Sequence, residues 1–526
     1  MTTIHPDEKF GSSQDSGRQN INSLSNSYGV NTQKLRDAME WSSNRLRPFR
    51  DRHADCVRFF AGNRYGHAND LDRMPVNMMR LAVDVWLRQL AAQTPKSLVL
   101  TRSPDLKTDS YELQIALDHL MQEINFGENL SETVRSAIFS MGIMKVGITT
   151  KYLAEGSSYL ADAGQPYAEP VLFEDWIHDM NARRREEWDY CGNRYRIPYQ
   201  MLMDNPDFDS KVKDSVKPEE EYGIGDELND SYVKTYELSR STASITKTEY
   251  IQHVELWDIW LPFDNLLITI PAQQGLEPLQ IKEWEGPENG PYHLLGFSTV
   301  PGNVIPSAPA QHLFDLQDLI SRLFNQLSRQ AHRQKTLTIV GGHADADGTG
   351  ERIMEGEDGQ VIRSSHVDEV KEMKYGGVDQ GNLAFVEILR GLFDYLGGNI
   401  SSIGGLAQQA ETLGQERLLA QSSSQLIQDM QSKVINFTTG VVKDLAWYMY
   451  TDPLIELPLV KRIPDYGDIP FVYGPESREG DFFAYNFQIQ PYSLQDKGPQ
   501  ERLSTIMNLT SSIFLPLALR SLPHLA

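Results

Sequence analysis

The stretch APAQHLFDLQDLISRLFNQLSRQAHRQ, residues 308–334, decides the fold class. Leu313, Leu316, Ile320, Leu323, Phe324 and Leu327 recur at steps of three and four, which gathers them into one stripe of a long amphipathic helix. Gln317, Asn325 and Arg329 are read as filling the opposite face.

Downstream, Lys335 starts a short strand, KTLTIV (335–340). A compact, Gly-rich and charged segment follows, with GGHADADGTGERIMEGEDG (341–359) and a second strand-like piece, QVIRSSHV (360–367). A second helix, NLAFVEILRGLFDYLG (382–397), carries Leu383, Val386, Leu389, Leu392, Phe393 and Leu396. GGNISSIGGLAQQAETLG (397–414) then supplies five glycines. The longest helix of all, 415–450, has Gly440 as its bend and Pro453 as its end. Strand-like runs return at 455–460 and 469–473, and 500–526 reads as helical until Pro516.

Upstream, residues 1–32 are rich in Ser, Asn, Gln, Gly and Asp and read as a disordered arm. Helices are predicted over 33–60, 77–93 (closed by Pro95), 111–126 and 128–142 (stopped by Gly142). Strands follow at 143–152, 169–178, 250–262 and 264–271, and the alternation of Val254, Leu256 and Asp258 suits a half-buried strand. Residues 205–248 are polar and acidic, an exposed excursion with short helices at most. The sum is a mixed α+β chain, mainly helical.

Composition narrows the function. The 526 residues imply two to four domains, and 40% hydrophobic content is ample for a core. Two distant cysteines, Cys56 and Cys191, offer no disulfide framework or metal pair and are read as structural. The N-terminus has no basic-then-apolar signal pattern, and no apolar run approaches 18 residues, so no membrane span is expected and the chain reads as soluble. The net charge of −23 is the wrong sign for tight phosphate binding, which Lys and Arg carry. It is compatible with a conduit, where weak contact is an advantage.

Sites with chemistry are scarce. HADADGTGE (343–351) places Asp345, Asp347 and Glu351 close together, yet lacks the spacing of a calcium loop and reads as an acidic turn. GGNISSIGG (397–405) lacks the GK[ST] ending of a phosphate loop. The twelve histidines form no zinc pattern, and neither GxSxG nor a Cys/His nucleophile setting occurs. Glu186-Glu187 and Glu219–Glu221 lie in polar runs, and Arg183–Arg185 is compensated by the glutamates that follow it. The clusters Trp257/Trp260 and Trp447/Tyr448/Tyr450 read as core or interface anchors. No cofactor, metal or catalytic residue is expected.

The order of these parts carries a resemblance. SAPAQHLFDLQDLISRLFNQL (307–327), SETVRSAIFSMGIMKVGI (131–148) and VLFEDWIHDMNARRREEWDYCGNRYRIP (171–198) resemble, in sequence, the portal proteins of tailed double-stranded DNA bacteriophages. Together with the order helix, small β-containing module, helix, glycine-rich loop and long helix, the likeness spans roughly residues 55–500. The resemblance implies a portal fold, assembled as a ring of about twelve copies. Its parts would be a wing at 33–306, stem helices at 307–334 and 378–396 flanking a clip at 335–377, and a tunnel loop at 397–411. A long kinked helix with wing strands (412–495) and a short helical crown (496–526) would complete it.

Under that resemblance, Gly398, Asn399, Ser401, Ser402, Gly404, Gly405, Gln408 and Gln409 line the channel. Lys335, Asp345, Asp347, Glu351, Arg352 and Glu357 meet the motor and adaptors. Leu316, Ile320, Leu323, Leu327, Leu389 and Phe393 pack the stem. The implied partners are the terminase large subunit, major capsid and scaffolding proteins, head–tail adaptor and tail proteins, and DNA in transit. The implied location is the capsid vertex of the virion, after assembly in the host cytoplasm. No lysine or arginine lies between Arg390 and Arg417, which departs from portals with basic channel loops and argues for weak DNA contact. The competing expectations are another ring-forming head–tail component, or a soluble hydrolase with an unfamiliar site.

Overall fold

The computed structural model describes residues 28–61, 76–91, 93–149, 152–153, 160–162, 164–218, 250–333, 335–340, 348, 351–352, 370–375, 377–403, 413–452, 455–463, 467–478 and 480–490. The protein is mixed α/β, with about half of its residues helical. Its principal helices are α1 (Thr32–Ala61), α2 (Met78–Leu90), α3 (Lys107–Glu123), α4 (Phe126–Phe139), α5 (Pro309–Arg333), α6 (Gln380–Leu396), the single turn α7 (Ile400–Ile403) and α8 (Leu413–Thr451).

Local chemistry explains several of the ends. The Asn31 side chain accepts from the Lys34 amide at 2.9 Å and so caps α1. Asn77 caps α2 in the same way through the Arg80 amide, also at 2.9 Å. Between α3 and α4 the chain reverses at Asn125, which sits at φ 52°, a region asparagine tolerates better than most residues.

Two antiparallel sheets stand beside the helices. One has five strands in the order 280–283, 266–271, 253–261, 191–198, 176–178, and the other three, in the order 292–295, 142–148, 166–171. A buried ion pair joins them: Lys145 Nζ lies 2.6 Å from Asp258 Oδ2. Asp258 Oδ1 also accepts from Thr269 Oγ1 at 2.8 Å and from the Tyr195 hydroxyl at 3.1 Å. Burial alone would depress the Lys145 ammonium, but the facing Asp258 carboxylate raises it well above its usual value. Separate two-stranded ribbons pair 335–340 with 370–375, 457–463 with 467–473, and 97–101 with 485–489.

The largest core gathers Trp86, Leu113, Leu117, Leu130, Val134, Val434, Val441 and Leu445 from α2, α3, α4 and α8. A second core around Trp176, Trp188, Ile259, Ile268 and Tyr292 fills the space between α1 and the sheets. Cys56 and Cys191 are free and buried, and burial pushes both thiols up to about 12.

The structure corrects several readings. The run 169–178 is two strands in different sheets, Pro166–Val171 and Trp176–His178, because a turn closed by Asp175 N to Leu172 O at 3.0 Å separates them. Gly142 does not stop α4, which ends at Phe139; it opens the strand Gly142–Ile148 and lies so close to the helix that a Cβ there would meet the Thr133 carbonyl at 2.5 Å. Leu90 ends α2 well before Pro95. The strand 335–340 pairs with Val370–Tyr375, a strand the sequence reading did not single out, and the strand-like piece at 360–367 lies outside the described residues. Gly440 lies inside the long helix α8, where the sequence reading put it. The arm at 1–27, most of the excursion (219–249) and the final segment 491–526 also lie outside the described residues.

Candidate functional site

The site is built where α5, α6 and the start of the glycine-rich loop meet α2. Next to the 335–340/370–375 ribbon, the Asp379 amide reaches Gln330 Oε1 at 3.2 Å, so α6 starts beside the end of α5 and runs back along it. The ribbon between the two helices pairs six residues on each strand, from Lys335↔Tyr375 to Val340↔Val370. Asp379 caps α6 through the Gly381 amide at 2.9 Å.

Of the expected stem residues, Ile320, Leu327, Leu389 and Phe393 are buried, and Leu316 and Leu323 pack partly exposed against the same core. The helical stripe misplaces one polar residue. Gln317 is fully buried, not on the solvent face, because its amide serves another helix. Its Oε1 accepts from the Met78 and Met79 amides at 3.0 and 3.3 Å, and its Nε2 donates to the Val76 carbonyl at 2.9 Å. The two amides are orphan N–H groups at the start of α2, which no carbonyl within the helix can satisfy.

A second stripe on α6 joins Phe385, Ile388 and Tyr395, which the sequence reading passed over, to Leu392 and Leu396, which it named. Phe385, Ile388, Leu392, Tyr395 and Leu396 are 44% to 72% exposed in the single chain. The first four recur at steps of three, four and three, so they form a ridge beside the buried Val386–Leu389–Phe393 row. Half of a broad apolar band is thus covered and half is not. The outer face of α5 is polar instead, with Asp318 and Arg322 paired at 2.6 Å.

The loop begins as ordered structure. Gly397 and Gly398 are buried or nearly so, and Gly398 (φ 82°) and Asn399 (φ 57°) turn the chain sharply off the end of α6. A Cβ at Gly398 would meet Leu426 of α8 at 2.8 Å. Asp394 then organises the next turn. Its carbonyl accepts from the Asn399 amide at 2.7 Å, and its carboxylate accepts from both the amide and the hydroxyl of Ser401, each at 2.8 Å. The Trp86 indole N–H donates to the Gly397 carbonyl at 3.1 Å. Gly398 and Ser401 are therefore committed to this base within the chain. Ser402 is described in its backbone alone, and Gly404, Gly405, Gln408 and Gln409 lie outside the described residues.

Among the residues assigned to motor and adaptor contact, Glu351 and Arg352 are exposed, and the Arg352 amide bonds the Gly348 carbonyl at 3.3 Å. Lys335 is described in its backbone, while Asp345, Asp347 and Glu357 lie outside the described residues.

Elsewhere, an open cleft of about 590 Å³ is lined by Gln93, Thr94, Gly127, Glu128, Ser131, Glu132 and Arg135, with neither histidine nor cysteine among its lining. Among the described residues, no group of three His, Cys, Asp or Glu side chains could hold a metal ion. Among the same residues, no helix is long and apolar enough to cross a membrane. Comparison with protein-family models and with curated proteins finds no match.

Proposed function

We propose that this chain is a portal subunit that closes into a ring of about twelve copies around a DNA channel. The observation that supports this reading is the uncovered apolar ridge of α6 (Phe385, Ile388, Leu392 and Tyr395) on the stem-like helix pair. A contiguous patch of this kind marks an interaction surface more often than solvent-facing decoration. It is also unlike the charged outer face of α5, so one helix pair has a dry side and a wet side.

The half-exposed edge of α5, Leu316, Leu319 and Leu323, is a chemically matched acceptor on a neighbouring copy. Contact of the α6 ridge with that edge is head-to-tail, and a head-to-tail contact closes into a ring when its rotation divides the circle. The polar outer face of α5 and the loop beyond residue 403 are then left for the channel. The function follows as passage of DNA into and out of a capsid, with the 335–375 end offered to the terminase motor and later to adaptor and tail proteins. The capsid and scaffolding proteins would hold the wing, and no bond chemistry is required.

Light scattering with electron microscopy of the purified chain tests this. The expected result is axially open rings near a dozen subunits, and monomers of unchanged helicity for Ile388→Glu combined with Leu392→Glu. A wild-type protein that stays monomeric or dimeric at every concentration overturns the reading.

A further inference from the structure

We infer that α2 is a strut that couples the stem, the base of the glycine-rich loop and the long helix α8. Both of its ends are capped by side chains from elsewhere in the chain. At the start, Asn77 Oδ1 holds the Arg80 amide while Gln317 of α5 holds those of Met78 and Met79. At the finish, Gln431 Nε2 of α8 donates to the Gln89 carbonyl at 3.0 Å. In the last turn between them, Trp86 holds the Gly397 carbonyl at the end of α6. Asn77 also donates to the Phe59 and Phe60 carbonyls at 2.8 and 3.0 Å, which ties the strut to the last turn of α1.

The partners of these bonds lie 238 to 342 residues away in sequence for Gln317, Trp86 and Gln431, so none of the three is a local cap. Gln317 and Trp86 are buried, and water cannot substitute freely if a bond opens. A helix of 13 residues is about 20 Å long and stiff on that scale. Movement of α5 relative to α8 is therefore delivered to Gly397, and through Gly398 and Asn399 to the Asp394–Ser401 clamp. This coupling belongs to the single chain and holds whether or not a ring forms.

Hydrogen exchange on the full chain tests it. Gln317→Met keeps the side-chain length and removes the amide; Trp86→Phe keeps a ring and removes the N–H. Each is expected to speed exchange at both remote ends, Met78–Arg80 and Asn399–Ser401, by roughly tenfold, the scale of one buried group left unsatisfied. Gln431→Ala, which loses one bond at a half-buried position, supplies the same reading if either core variant fails to fold. Faster exchange confined to the substituted end overturns the strut. Light scattering on the same samples separates the two ideas: rings without coupling sink the strut alone, and coupled monomers sink the ring alone.

Discussion

Two largely buried titratable side chains, Lys145 and His178, bear on stability at the level of single residues. Lys145→Met leaves the largely buried Asp258 carboxylate with the Tyr195 and Thr269 hydroxyls as its side-chain partners among the described residues. Loss of one partner from a buried pair is worth about 3–5 kcal/mol, and urea unfolding should show a drop of that order. Adding Asp258→Leu should recover only part of it, because two hydroxyls then lose their acceptor. His178 gives a pH signature. Burial, and then the nearby Arg50 charge, lower its imidazole from 6.5 to about 3. Its Nδ1 accepts from the Trp176 indole at 3.1 Å, so the folded ring is neutral with its proton on Nε2. Between pH 6.5 and 3 the unfolded chain binds the proton and the folded one does not, so stability falls as pH falls through that window and is indifferent to this residue above it. The limiting slope is about 1.4 kcal/mol per pH unit for one proton. His178→Gln, which keeps an acceptor for Trp176, should flatten the acid side of the stability curve; an unchanged slope would count against the assignment.

Between elements, close approach matters more than propensity. Gly142 lies where the opening strand crosses α4, and an added Cβ would meet the Thr133 carbonyl at 2.5 Å and Ala137 Cβ at 3.1 Å. Gly142→Ala should lower the melting temperature by an amount corresponding to about 1–3 kcal/mol of overpacking, measured by calorimetry. The same position marks what sequence could and could not convey. A glycine after a periodic run reads as a helix stop, and nothing local says that its purpose is to let a strand pass. The periodic stripe of α5 was legible, as were α6 and α8, because the spacing of apolar residues is a one-dimensional signal. Gln317 was not, because its burial is satisfied by amides near residue 78, and polarity alone reads as exposure. The ordered base of the loop was not legible for a related reason. Five glycines suggest freedom, but Gly397 and Gly398 are small because Ile400 and Leu426 press on them, and Asp394 fixes the turn through Ser401. The α6 ridge was written in the sequence at helical spacing; what sequence lacks is the fact that only one side of the band finds a partner among the described residues.

For the whole molecule, the balance is between an apolar ridge that favours association and a charge that opposes it. In the proposed ring each of about a dozen copies brings −23, and their mutual repulsion is screened by mobile ions over about 10 Å at 0.1 M salt. Apolar contact is not weakened by such screening. Assembly through Phe385, Ile388, Leu392 and Tyr395 should therefore grow stronger as salt rises from about 10 to 300 mM, within the range over which the screening length shrinks from tens of ångströms to a few. Sedimentation across a salt series checks the sign. A ring that tightens with salt, and that Ile388→Glu abolishes at every salt concentration, has the apolar ridge as its joint. A ring that loosens with salt is held by opposite charges instead, and the ridge then needs another occupant. In the proposed channel the same charge should keep DNA contact weak, since counterion release rewards Lys and Arg and the segment between Arg390 and Arg417 has neither. Nitrocellulose filter retention of duplex DNA by the assembled protein should accordingly be poor at about 150 mM salt, the physiological ionic strength. Tight retention there would place an unrecognised cationic surface on the ring and remove the argument that the channel works by not holding what passes through it.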